Sequence, residues 1–168
     1  PPARHVVIAG AGRVGRLAGR ALDEARAPHV YIDASLETVI ALQQQGLTAY
    51  WGDAGSPEVL RAAGIEQALL LILAVPDGDS ASLAAGHAQR LNHGIAIVAR
   101  AHSTGDLAAL QRGRVESAIV PEFEGAAVIV REVLGRLGLP APVLDEIATR
   151  IRDEEYGRAA PDPRATGA

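Results

Sequence analysis

Two hydrophobic patterns alternate along the chain. His5 to Ala9, His29 to Ile32, Leu47 to Trp51, Ala68 to Val75, Ile95 to Ala99 and Ala118 to Val120 are short apolar runs that stop at Gly, Asp, Pro or Arg. Their length and their boundaries predict strands. Ala68-Leu69-Leu70-Leu71-Ile72-Leu73-Ala74-Val75 is apolar at every position, the pattern of a strand covered on both faces of a parallel sheet. Between these runs the apolar residues recur at helical spacing. Leu36 to Leu42 predicts a helix that stops at Gly46, and Ser56-Pro57 starts a short one, capped by Ser56, that ends near Gly64. Ser80 to Leu91 and Thr104 to Gln111 predict two more.

Six strands separated by helices at this spacing require right-handed crossovers. They predict an α/β fold: a Rossmann-like, doubly wound parallel six-stranded sheet with helices on both faces. Past Glu122, Ala126 to Leu137 predicts an apolar-rich helix, and Pro140-Ala141-Pro142 separates it from a charged helix over Leu144 to Tyr156. The expected organisation is an α/β domain over 1–139, a helical extension over 140–157 and a Pro, Gly and Ala-rich tail without regular structure over 158–168.

The first strand runs into Gly10-Ala11-Gly12-Arg13-Val14-Gly15. Gly10 allows a tight turn, Gly12 leaves room for a phosphate near the main chain, and Gly15 lets the following helix pack closely on the sheet. That helix start offers unpaired N–H groups and the positive end of a dipole. Eighteen residues beyond Gly15 the second strand ends in Asp33, where a nucleotide-binding βαβ unit places the carboxylate that accepts from ribose hydroxyls. In such a sheet ligands bind beyond the carboxyl ends of the strands. The candidate site is therefore Gly10, Gly12, Arg13, Val14 and Gly15, with Asp33 and Ala34, Asp53 and Ala54, Val75 and Pro76, Arg100, and Glu122.

Composition narrows the chemistry. The chain of 168 residues has no cysteine, and its 16 basic residues are all arginine. Thiolate chemistry, a Walker lysine, a Schiff-base lysine and a Tyr-Lys pair are excluded. A net charge of −4 without a clustered basic face argues against nucleic-acid binding. The five histidines lack ligand spacing, so no metal site is expected. No apolar run spans a bilayer and Pro1 to His5 does not open a signal peptide. The start on Pro1 leads us to expect a longer parent protein.

Arg13 bears on the ligand. A guanidinium there can grip a terminal phosphate in a two-bond fork, which suits AMP, ADP or ATP at least as well as NAD(H); the alternative is an arginine in solvent. Asp33 opposes NADP(H), whose 2′-phosphate would meet a carboxylate. Asp53 fits either a turn cap or an adenine contact, Glu122 a helix start or a contact, and Arg100 an ion pair or a contact. Trp51 is expected in packing, His102 at the surface, and Asp77 and Asp79 in a loop and a helix cap.

Taken together, HVVIAGAGRVGR, VYIDAS, AYWGDAGSPEVLRAAGI, LLLILAVPD, IVARA and IVPEFEGA resemble the regulatory nucleotide-binding domain of potassium transport proteins, called RCK, KTN or TrkA-N. The resemblance covers His5 to Leu139, and the charged helix after LGLP looks most like the Kef-type cation/proton antiporter branch. It implies a non-catalytic homodimer on the cytoplasmic side of the membrane, attached to or associated with a transmembrane ion-transport domain and regulated by an adenine nucleotide. It also implies that the glycine turn and Arg13 hold phosphate, Asp33 the ribose, and Asp53 with Ala54 the adenine end. Arg100 and Glu122 then lie at the cleft rim, within reach of a neighbouring subunit. Glutathione-regulated members tend to carry a second arginine after ARA, where this chain has His102, so glutathione regulation is not implied. The other classes open to this fold are an NAD(H)-dependent oxidoreductase, for which no proton donor can be named, and a docking module without ligand.

Overall fold

The structure, a computed structural model, describes residues 4–159. Strands β1 (Val6–Ala9), β2 (His29–Asp33), β3 (Ala49–Trp51), β4 (Leu70–Leu73), β5 (Ala96–Arg100) and β6 (Ser117–Ile119) form one parallel sheet in the order β3-β2-β1-β4-β5-β6. The helices are α1 (Arg13–Glu24), α2 (Leu36–Gln44), α3 (Pro57–Ala62), α4 (Gly78–Leu91), α5 (Thr104–Arg112), α6 (Pro121–Arg136) and α7 (Ala141–Ala159), with a single 3-10 turn at Ile65–Gln67. The expected doubly wound Rossmann-like sheet is the fold observed. Strand order reverses between β1 and β4, so crossovers leave in opposite directions and a crevice opens at the carboxyl ends of these two strands.

The period-two alternation of each strand sorts the core into two layers. Val7, Ala9, Val30, Ile32, Leu71 and Leu73 pack with Leu60 of α3, the alanines of α4, and Leu107 and Leu110 of α5. Val6, Ile8 and Tyr31 pack on the other side with Val39 and Leu42 of α2. α4 turns Ala81, Ala84, Ala85 and Ala88 inward, all buried, so small side chains let this helix lie close to the sheet.

Several boundaries differ from the sequence expectation, each for a local reason. β4 is not covered on both faces: Leu70 and Ile72 are only half-buried. α1 and α2 serve the β1 to β3 half of that side, while α6 packs against α7 and buries none of its residues fully. α4 begins at Gly78 because Asp77 caps it, accepting from the Ser80 N–H at 2.8 Å. α6 begins at Pro121 rather than Ala126, and α7 at Ala141 rather than Leu144. Both put a proline in the first turn, where its missing N–H costs nothing. Pro140-Ala141-Pro142 is thus the entry of α7 and not a spacer. Helix also continues through Gly157 and Arg158, which composition places at the end of the extension and in the tail; residues 160–168 lie outside the described part.

α1 and α5 each end in a Schellman turn whose left-handed residue is an arginine. Arg26 has φ 54° and Arg114 φ 59°, whereas Gly46 and Gly138 take that role after α2 and α6. A Cβ in this conformation is strained. Arg26→Gly and Arg114→Gly should each stabilise the chain by about 0.5–1 kcal/mol in chemical denaturation. A loss of stability in both would contradict the strain.

Candidate functional site

The site begins where β1 and β4 leave the sheet side by side. Gly10 has φ 93°, donates its N–H to the Ile32 carbonyl at 2.8 Å, and sits so close to β4's exit that a Cβ would lie 2.8 Å from the Ala74 carbonyl. Five residues on, Gly15 presses α1 onto this turn: a Cβ there would overlap the Gly10 carbonyl oxygen. Gly12 is different. It stands at the N-cap of α1, receives no side-chain cap, and a Cβ on it would meet nothing within 4 Å. The first turn of α1 holds no acidic residue of its own, and its positive dipole end lies at the crevice beside the Asp33 carboxylate, which accepts from the Ala11 N–H.

The next three strand ends supply the walls. At the end of β2 the half-buried Asp33 carboxylate ties two turns together, accepting from the Ala11 N–H at 2.7 Å through Oδ2 and from the Ser35 N–H at 2.8 Å through Oδ1. Each oxygen keeps a free lone pair for a hydroxyl donor. Beyond β3, Asp53 Oδ1 accepts from the Gly55 N–H at 2.8 Å, an Asx turn that sets the segment through the buried Ala54. Beyond β4, Val75 and Pro76 lead to Asp77, whose carboxyl the cap bond from Ser80 holds below the usual carboxylate range. Arg100 ends β5, and its Nε is buried with no hydrogen-bond partner among the described residues.

These ends enclose one cleft of about 580 Å³. Gly10, Gly12, Arg13, Val14, Asp33, Ala34, Asp53, Ala54, Val75, Pro76 and Arg100 all line it. Two candidates do not. Gly15 lies beneath the turn as a packing residue, and Glu122 sits in the first turn of α6, away from the cleft. Ile32, Ser35, Gly52, Ala74, Asp77 and Ser80 complete the lining. Five of them adjoin predicted positions, Asp77 directly after Pro76; Asp77 and Ser80 are missed because the sequence assigns them to a loop and a helix start with no ligand signal. A more open groove of about 720 Å³ along α7 is bounded by side chains of that helix alone, with no turn or glycine.

The cleft has the parts a phosphorylated nucleoside needs. Gly12 opens on the start of α1, Arg13 and Arg100 line the same space, and the buried Nε of Arg100 has no hydrogen-bond partner among the described residues. Asp33 offers acceptors for a diol. Trp51 departs from expectation: 62% exposed, it lies across the rim with Nε1–H donating to the Ala34 carbonyl at 3.0 Å. His102 is likewise no plain surface residue, since its Nε2 donates to the Val75 carbonyl at 3.0 Å.

Residues 6–121 match the family model of the TrkA-N domain. The chain belongs to the TrkA-N family. Among curated relatives, a putative cation/proton antiporter YbaL of Escherichia coli is 33% identical over 136 residues, covering 81% of this chain and 24% of the relative. The glutathione-regulated potassium-efflux protein KefC of Cronobacter sakazakii is 31% identical over 163 residues, covering 97% of this chain and 26% of the relative. This TrkA-N chain thus spans about a quarter of the length of these relatives. Among solved structures, the AMP-bound C-terminal domain of Kef from Shewanella denitrificans superposes with a TM-score of 0.81 at 27% identity, over 93% of this chain and 95% of that one. No helix among the described residues of this TrkA-N domain is long and apolar enough to cross a membrane.

The glycines of the turn separate packing from space. Gly15→Ala should cost about 1–3 kcal/mol in chemical denaturation, because backbone lies where the methyl must go. Gly12→Ala should cost less, about 0.5–1 kcal/mol, because alanine is a poorer N-cap than glycine although its methyl meets nothing there. Equal effects at the two positions would contradict this division.

Proposed function

We propose that this chain is the regulatory, non-catalytic domain of a potassium/proton antiporter, and that it binds an adenine nucleotide in the cleft over the glycine turn. The observation that carries this reading is the space over Gly12, which faces the start of α1 within a cleft that also holds Asp33, Arg13 and Arg100. The AMP bound to the Shewanella Kef domain supports the ligand class, and the antiporter relatives support the setting.

In this reading the amides at the start of α1 and the guanidinium groups of Arg13 and Arg100 take the phosphate, Asp33 takes the ribose hydroxyls, and Asp53 with Ala54 borders the adenine end. AMP fits these groups most simply, and ADP, ATP or NAD(H) use the same ones. NADP(H) brings a 2′-phosphate toward the Asp33 carboxylate and is disfavoured. The domain sits on the cytoplasmic side of the membrane, joined to a transmembrane transport part whose ion flux follows the nucleotide.

A homodimer belongs to the same proposal. α6 exposes Val128, Ile129 and Val133, and Leu137 at its C-terminal cap is 71% accessible. A helix that turns so much apolar surface to water is ready to pair with its copy.

Thermal unfolding with AMP, ADP, ATP, NADH and NADPH tests the ligand. At about a hundredfold over its dissociation constant a binding nucleotide stabilises the chain by roughly 2.7 kcal/mol. AMP should raise the midpoint and NADPH should not; no shift with any nucleotide would overturn the reading. Arg13→Ala should weaken AMP several-fold more than adenosine, and equal loss for both in calorimetry would remove Arg13 from the phosphate.

A further inference from the structure

Two histidines stand behind opposite walls of the cleft, and neither lines it. His87, in the middle of α4, donates Nδ1–H to the carbonyl of Gly55 at 2.6 Å. His102, just beyond β5, donates Nε2–H to the carbonyl of Val75 at 3.0 Å. A carbonyl only accepts, so each bond fixes the tautomer: the proton is on Nδ1 of His87 and on Nε2 of His102. Both rings are half-buried.

The carbonyls they hold are placed to matter. Gly55 follows Asp53 and Ala54, and with its N–H already given to Asp53 Oδ1, the bond from His87 uses its second main-chain group. The loop is also seated on α4, where a Cβ on Gly55 would lie 3.1 Å from Leu83 Cδ2. Val75 lines the cleft itself. His102 is steadied in turn, its backbone N–H donating to Asp106 Oδ2 at 3.0 Å, and the Asp106 carboxylate packs against Gly78 at the start of α4. In the strand order, the loop after β3 lies on one side of the glycine turn and the exit of β4 on the other. The two imidazoles therefore fix the walls between which the glycine turn and Asp33 lie, and α4 is packed behind both.

Resting on the nucleotide reading of this cleft, we infer that His87 and His102 are positioning residues for the ligand: each sets one wall through a single N–H to a main-chain carbonyl, without touching the nucleotide. The required donor is atom-specific. An asparagine amide reproduces a donor at Nδ1 and a glutamine amide one at Nε2. His87→Asn and His102→Gln therefore keep the bond, whereas His87→Gln and His102→Asn misplace it and the phenylalanine variants abolish it.

The test is the dissociation constant of AMP by calorimetry for the wild-type chain and these six variants, with the midpoint of thermal unfolding measured without ligand for each. The wild type binds AMP. His87→Phe and His102→Phe should bind about tenfold more weakly, the loss of one positioning hydrogen bond. His87→Asn and His102→Gln should return to within about twofold of wild type, while the exchanged amides should not. Should a phenylalanine variant fail to fold, the exchanged amide at that position supplies the comparison. Unchanged affinity in the phenylalanine or exchanged-amide variants overturns the inference. So does affinity that follows only the unfolding midpoint, whichever amide is present. A wild-type chain that binds neither AMP nor, in the same calorimeter, ADP, ATP or NADH overturns the nucleotide reading, and this inference falls with it.

Discussion

The contact on which both fold and cleft depend is the pressing of α1 onto the turn that leaves β1. Gly15 carries no side chain, so the helix can rest on the carbonyl of Gly10, and Gly10 in turn rests on the exit of β4. This stack of backbone on backbone aims the start of α1 at the point where the strand order reverses. A helix set back by even one methyl would lift its amides from the crevice and separate the β1 and β4 ends. Folding and, in the proposed reading, ligand capture are thus bound to the same few atoms, and Gly12, free on its outer side, is the place where they part.

Around that stack the charges are arranged by the backbone rather than by one another. Asp33 is fixed by two amides, Asp53 by one and Asp77 by its cap bond to Ser80. These carboxylates consequently need no arginine to hold them, which leaves Arg13 and Arg100 available to an anion in the cleft. The surface ion pairs lie elsewhere, chiefly along α7 and between α6 and α7, as with Arg131 and Asp145 at 2.8 Å. Exposed pairs of this kind contribute little to stability. They keep the C-terminal helices soluble while α6 retains its apolar face.

Much of this was legible in the sequence because it rests on local chemistry. Apolar runs with abrupt stops mark six strands in the right places, and the spacing from the glycine turn to Asp33 locates the first two walls of the cleft. What escaped depends on contacts distant in the chain or on helix starts without periodicity. Nothing in Pro121-Glu122-Phe123-Glu124 shows helical spacing, so the pattern starts α6 late and leaves Glu122 at the rim. β4 looks buried on both faces, since a run of leucines does not show that its covering helix packs elsewhere. Trp51 reads as a packing residue, since nothing local to it shows that its indole N–H reaches the Ala34 carbonyl just beyond β2. His87 and His102 carry no motif at all, since their carbonyl partners lie 32 and 27 residues away.

The central claim, that the glycine turn and the strand ends around it form one nucleotide site, is tested most directly by amide hydrogen exchange on the chain with and without AMP. The account predicts slower exchange at the start of α1 from Gly12 to Val14, at Ala34 and Ser35, and at Asp53 and Ala54, with no comparable change in α5. Protection absent from these segments at saturating AMP, or confined to the α6 and α7 helices, would contradict it.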